Sequence, residues 1–371
     1  MRVPLLDLVA QHEQIEDHVI GAIMRVIARQ SFIMGPEVAE LEQQLAALAG
    51  VKHAIACASG TDALLLPLRT LDLAPGDEVI TPAFTFFATA GAIHNAGGTP
   101  VFVDIERDSF NVAPDAIEAA ITPRTRAIVV VHLFGQMAAM ERILPLAERH
   151  GLTVIEDAAQ AVGAARMMDG RRCVAGSLGA VGTLSFFPSK NLGGWGDGGM
   201  ILTSDDARAA RLRRLRLHGG DKEYHHDEVG YNSRLDTVQA AVLLAKLPFL
   251  SEWSEARRQA AAHYTEAFAD QPGIEPPTVD PANEHIFHQY TIRVSDRDAL
   301  QAHLREANIG HKVYYPIGLH LQPCFRGLGY GPGQLPRTEE ASAEVISLPI
   351  YPELSAAQQH AVIDAVTGFY A

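Results

Sequence analysis

The stretch GTLSFFPSKNLGGWGDGGMILTS, residues 182–204, places one lysine and a glycine-rich loop between two short apolar runs. GTLSFF (182–187) and GMILTS (199–204) read as strands, and Lys190 stands just where the first should have ended. Lysine ordinarily sits in water at the end of a flexible stem. A lysine leaving a strand into close-packed backbone is partly desolvated, which disfavours the ammonium form and frees the amine as a nucleophile. The same letters also describe a solvated lysine in a glycine-rich surface turn. The pattern GxxxxGK[ST] is absent, so a P-loop is not supported.

Working outward, five more runs read as strands: HAIACAS (53–59), EVITPA (78–83), PVFVDI (100–105), RAIVVVHLFG (126–135) and LTVIEDAA (152–159). Several are apolar throughout, as strands covered on both faces are. Helical patterns such as PEVAELEQQLAALAG (36–50) and MERILPLAERHG (140–151) lie between them. The alternation predicts an α/β domain with a mostly parallel sheet, whose ligands bind at the carboxyl ends of the strands. From about residue 247 the texture changes. A charged helical stretch (251–268), the Pro-rich QPGIEPPTVDP, the strand HQYTIRV, the helix DALQAHLREAN and a final helix after LPIYPEL follow. This predicts a large α/β domain over 1–246 and a smaller α+β domain over 247–371.

The chain has 371 residues, 47% of them hydrophobic and 20% charged, with a net charge of −14. No basic stripe offsets that acidity, which argues against nucleic acid as a partner. The N-terminus MRVPLLDLVAQHEQIEDHV soon turns polar and lacks the apolar core of a signal peptide. No apolar run approaches the ~20 residues of a membrane span. Cys57, Cys173 and Cys324 are far apart, as reduced thiols in a cytoplasmic protein would be.

Other candidates gather at predicted strand ends. Asp157 in IEDAAQA (155–161) follows an apolar run, where a carboxylate needs a cation or donors. It reads as a partner for a protonated pyridine nitrogen, as a helix cap or as a metal ligand. ASGTDALLL (58–66) reads as amides aimed at a phosphate from a helix start, as an ordinary Ser/Thr cap, or as both. Phe86 and Phe87 in TPAFTFFATA (81–90) suit a ring to stack on a flat cofactor, or core packing. VGYNSRLDTVQAA (229–241) offers Asn232 and Arg234 before a helix, and YYPIGLHLQP (314–323) offers Tyr315 and His320. Both also read as loop anchors. His225 and His226 have no thiol or HxxxH partner nearby and read as solvated, so no metal site is expected. Taken together, a phosphate cradle, a stacking aromatic, a pyridinium carboxylate and a reactive lysine describe a pyridoxal phosphate (PLP) site.

The sequence also resembles the DegT/DnrJ/EryC1/StrS sugar aminotransferases, PLP enzymes of the aspartate aminotransferase fold. The resemblance runs nearly end to end through FIMGPEVAELE, ASGTDAL, TPAFTFFATA, VHLFGQ, IEDAAQA, GTLSFFPSKNLGGWGDGGM, GYNSRLDTVQAA, YYPIGLHLQP and SLPIYPEL. It implies a fold type I transferase with a seven-stranded sheet. It implies that Lys190 joins the cofactor and then shuttles the proton, that Asp157 pairs with the pyridine nitrogen, and that Gln160 reaches the ring hydroxyl. Phe86 would stack on the ring, and Gly60, Thr61 and Ser185 would hold the phosphate. Asn232 would reach the phosphate of a neighbouring subunit's cofactor, making the working unit a homodimer with shared sites. Tyr315, His320 and Arg234 would lie near a nucleotide-linked keto-sugar, with L-glutamate as amino donor. One branch of the family became a dehydratase with histidine in place of the lysine, and Lys190 argues against that branch. The GYNSRLD form looks more like members that aminate C3 than C4. The alternatives are a cyclitol aminotransferase and a non-catalytic regulatory protein on the same fold.

Overall fold

The computed structural model describes residues 1–371 apart from Glu223. All seven apolar runs form strands, each beginning within a residue of its expected start. They are β1 (His53–Cys57), β2 (Glu78–Pro82), β3 (Thr99–Val103), β4 (Thr125–Val131) and β5 (Thr153–Asp157), with β8 (Val181–Ser185) and β9 (Gly199–Thr203) later in the chain. Between these two groups lie the short strands β6 (Ala165–Met168) and β7 (Arg171–Val174), which the sequence pattern did not show. The seven form one sheet in the order β1-β9-β8-β5-β4-β2-β3. Only β9 runs against its neighbours β1 and β8. The connection fits that reversal: parallel crossovers usually run through a helix, and residues 186–198 hold none. The Lys190 loop therefore turns the chain straight back.

Helices cover both faces. The helix Pro36–Ala49 starts on its proline and ends at Gly50, whose φ of 73° closes the last turn. It packs with β1 and with the helix Thr237–Lys246, and the main apolar cluster extends from Val38 through Ile128 and Val130 to Ile286. A second apolar cluster joins Val3, Tyr264, Phe268, Tyr290, Ile292, Leu300 and Val362. It is built on the three-stranded antiparallel sheet of β10 (Ile274–Glu275), β12 (Tyr290–Val294) and β13 (Val345–Leu348). β11 (Asn283–Glu284) pairs with β6 and brings residues 283–288 beside the main sheet. There Ile286 N donates to Gly135 O and His288 N to Phe134 O. The N-terminal segment is also helical over Leu8–Arg29, capped by the Asp7 carboxylate on the amides of Val9 and Ala10. Its Ile15 and Val19 pack on Val242 and Trp253. No helix among the described residues is long and apolar enough to cross a membrane.

Strand alternation sends the adjacent acids Glu156 and Asp157 to opposite faces of β5. Glu156 is fully buried, and its carboxylate accepts from the amides of Gly176, Leu178 and Gly179 at 2.9, 2.7 and 2.6 Å and lies 2.9 Å from His132 Nε2. It therefore fixes the turn that feeds β8. We predict that Glu156→Ala strands these donors and lowers unfolding free energy by about 3 kcal/mol. A urea midpoint equal to that of the unaltered protein would remove Glu156 from this role.

Candidate active site

Asp157 is the last residue of β5 and pairs in register with Thr183 of β8, so the two strands that frame the site end side by side. Its carboxylate is buried. Oδ2 accepts from the Thr89 hydroxyl at 2.9 Å, and Oδ1 accepts from the Ala159 amide at 3.2 Å. Thr89 in turn lies 3.1 Å from the Thr85 hydroxyl, one helical turn back. Burial pushes the Asp157 carboxyl above the usual carboxylate range, while Thr89, Ala159, Lys190 and His132 pull it back.

Lys190 lies in the loop beyond β8, where its amide donates to Phe187 O at 2.8 Å. The residue is partly buried, and desolvation of the amine pushes its pKa down to about 8. Asp157 opposes that shift without cancelling it. The glycines let the loop pack against itself and against the end of β1. A Cβ at Gly193 would lie 2.3 Å from Pro188 O, and one at Gly199 would lie 2.2 Å from Ser59 O, so only glycine fits. The loop is tied down by Trp195 N on Gln239 Oε1 at 2.8 Å. The buried Lys246 ammonium donates to Gly193 O at 2.9 Å and Gln11 Oε1 at 3.1 Å.

At the end of β1 the Ser59 hydroxyl caps the helix Gly60–Arg69 by accepting from Asp62 N at 3.1 Å. The amides of Gly60 and Thr61 remain at the helix start, where a helix has no internal acceptor for them. A Cβ on Gly60 would fall 2.6 Å from that of Ser185, so glycine lets the helix start meet the end of β8. The cap and the cradle thus coexist. Sequence reasoning passed over Ser233, which is buried and donates to Asp62 Oδ2 at 2.6 Å, tying the GYNSR segment to this helix. It also passed over Thr89, although Thr85 and Thr89 stand at helical spacing in the quoted TPAFTFFATA.

Gln160 Nε2 donates to Tyr315 Oη at 2.8 Å, joining residues 155 apart in sequence. Gln160 Oε1 is left buried with no partner among the described residues. Tyr315 packs edge-on to Phe84, and burial raises its phenol pKa. Phe86 and Phe87 are not core residues: both are exposed, Phe86 by 59%, with Phe87 stacked on Phe325. His320 is wholly buried, 3.3 Å from Glu339 Oε1, with Nδ1 unpaired among the described residues. Asn232 is exposed, and Arg234 lines a separate hollow of about 660 Å³ with His218, Tyr224 and His226. On one chain, then, Lys190, Asp157, Gln160 and Tyr315 converge, while Asn232 and Arg234 face elsewhere. His225 and His226 are exposed.

Known proteins share this fold. The family model described as the DegT/DnrJ/EryC1/StrS aminotransferase family matches residues 13–367. A pleiotropic regulatory protein of Geobacillus stearothermophilus is 51% identical over 100% of this chain and 99% of its own. A UDP-N-acetyl-3-dehydro-alpha-D-glucosamine 3-aminotransferase of Acidithiobacillus ferrooxidans is 46% identical over 95% of this chain and 94% of its own. Among solved structures, DesV of S. venezuelae superposes with a TM-score of 0.96 at 44% identity, covering 100% of this chain and 98% of that one. NtdA of Bacillus subtilis, solved with bound cofactor PMP, has a TM-score of 0.90 at 34% identity, covering 98% of this chain and 84% of that one. With a full-length family match and a shared fold, the chain belongs to the DegT/DnrJ/EryC1/StrS aminotransferase family.

Proposed function

We propose that this enzyme moves the amino group of L-glutamate to C3 of a nucleotide-linked keto-sugar, with PLP as cofactor. The observation that carries the proposal is the desolvated Lys190 amine held opposite the buried Asp157 at neighbouring strand ends. The residues present fit the cofactor. The orphaned Gln160 Oε1 offers an acceptor to a ring hydroxyl, Asp157 a carboxylate to a ring nitrogen, and Phe86 an exposed ring at the mouth. The helix start at Gly60 and Thr61, beside Ser185, suits a phosphate. When bound, PLP supplies the electron sink that lets the donor's α-proton leave. Lys190 Nζ would take up that proton and return it in the second half of the exchange, and Asp157 would hold the ring nitrogen protonated. Tyr315, His320 and Arg234 are assigned to the sugar nucleotide, His320 from behind through the buried cluster around Glu339. Amination at C3 follows the GYNSRLD form and the relative named for that position. In the same reading the chain divides near residue 246 and the second apolar cluster is the smaller domain.

Two chains complete the site. Phe32, Ile33, Met34, Phe187 and Trp195 are all exposed on one chain, more apolar surface than solvent favours. A second copy laid there brings its Asn232 to the phosphate. The Geobacillus relative's name favours a regulatory protein instead, and bleaching of the cofactor's near-visible band by glutamate separates the two readings. A panel of 3-oxo and 4-oxo nucleotide sugars, scored by single-turnover loss of the aminated cofactor, tests the substrate. Reaction with 4-oxo sugars alone overturns the C3 assignment.

Three predictions follow from the pair of charges. Lys190→Ala abolishes turnover with the fold intact, and borohydride attaches the cofactor to the Lys190 peptide of the unaltered enzyme; labelling at Lys246 instead refutes the assignment. Asp157→Asn keeps cofactor but loses most of the rate, since an amide does not hold the nitrogen protonated, and near-normal activity would reduce Asp157 to a structural acid. In cofactor-free protein, labelling of Lys190 by a neutral amine reagent rises roughly fivefold from pH 7 to 8 and levels off above 9, as a free base with a pKa about 8 requires. A midpoint near that of a solvated lysine would show that the amine is not desolvated. The shared site is tested by mixing Lys190→Ala chains with chains blocked at Asn232; mixed dimers that stay inactive overturn it.

A further inference from the structure

Asn191 directly follows Lys190 and is buried. Its Nδ2 donates to Ile286 O at 3.1 Å, and its Oδ1 lies 3.1 Å from His288 Nδ1. The bond to Ile286 decides which end of the amide faces the histidine. An amide oxygen accepts only, so His288 carries its proton on Nδ1. His288 is itself buried, and its backbone amide donates to Phe134 O at 2.9 Å. Burial keeps the imidazole neutral, and the Lys190 and Arg257 cations act in the same direction. Arg257 fixes the same segment from behind, donating to Phe287 O at 3.2 Å and Ile350 O at 2.7 Å. Gly135 closes the other side: a Cβ there would stand 3.1 Å from His288 N and 3.2 Å from Gln160 O.

Lys190 reaches its target through a long side chain, so where its Nζ sits depends on where its backbone is held. On the N-terminal side the hold is the Lys190 amide on Phe187 O. On the C-terminal side it is Asn191. We propose that Asn191 and His288 form a clamp that positions the Lys190 amine, with neutral His288 as donor and Asn191 as relay. Both are positioning residues rather than catalytic ones. The bond ties the loop beyond β8 to the segment between β11 and β12. A neutral imidazole makes this bond as a buried donor without carrying a buried charge of its own. The inference rests on Lys190 being the lysine that joins the cofactor, which borohydride labelling establishes separately.

The test uses the holoenzyme and three variants, each checked for cofactor content and melting temperature. His288→Leu removes the donor and lowers kcat roughly 10- to 100-fold, with KM for glutamate changed by no more than about threefold. His288→Asn, whose amide N–H can stand in for Nδ1–H, restores most of that loss. Asn191→Asp places a carboxylate beside Lys190 and raises the pH midpoint of the cofactor's absorbance change by about one unit. The clamp is overturned if folded His288→Leu keeps kcat within about twofold. It is equally overturned if His288→Asn is as slow as the leucine variant, or if Asn191→Asp leaves the midpoint in place. Should the leucine variant not fold, the other two decide. If Lys190 is labelled by borohydride while these variants behave normally, the clamp fails and the assignment of Lys190 stands.

Discussion

The site depends on desolvation winning over attraction at one amine. Lys190 faces Asp157, and an ordinary ion pair would raise the lysine's pKa. Burial instead takes it down to about 8, a difference of roughly 3 kcal/mol between protonation states. A lowered pKa is what the proposed role of Lys190 as base and nucleophile requires. The contacts around it hold the backbone that carries the lysine. Glycines 193 and 199 let backbone pass within a distance no side chain tolerates, and Lys246 and Gln239 hold the loop from beneath.

Glu156 and Asp157 show how the strand period divides labour between identical chemistries. Each carboxylate is buried, which is costly for an unpaired charge. Glu156 meets three backbone amides and an imidazole, and so becomes part of the scaffold. Asp157 meets one hydroxyl and one amide, which leaves acceptor capacity for the proposed cofactor. The difference in satisfied lone pairs, more than the residue type, separates the structural acid from the functional one.

Much of this was legible in the sequence because its signals are local. Seven apolar runs at strand length marked the seven strands, and glycine density around Lys190 marked the close approach. What was not legible rests on distant pairing. β6, β7 and β11 are short and partly exposed, so their sequences carry no alternation to read. The reversal of β9 fits the absence of a helix in residues 186–198, visible in the letters once the usual form of parallel connections is considered. Thr89, Ser233 and the Gln160–Tyr315 bond unite positions 68 to 171 residues apart, a coincidence of the fold that no spacing announces. Core packing was the commoner expectation for Phe86, and it is exposed because it stands at the cap of the helix Phe87–Asn95, facing away from the sheet's core.

That exposure bears on what one chain lacks. A phenylalanine ring open to water beside a polar site has no folding reason to stay there, since burying it elsewhere would stabilise the chain by about 2 kcal/mol. The same holds for Phe187 and Trp195 on the loop that carries Lys190. Meanwhile Asn232 and Arg234 flank Ser233, which anchors them to the helix at Gly60; Asn232 is exposed and Arg234 lines a hollow that Lys190 does not share. Uncovered rings at one edge and unmatched polar groups at another are surfaces that two copies related by a twofold axis can satisfy in one step. In the proposed dimer, burying Phe187 and Trp195 would supply association energy, and the polar groups would then complete the proposed site across the interface. On this argument assembly and catalysis share one surface, so a substitution that weakens the dimer would also loosen the grip on the phosphate.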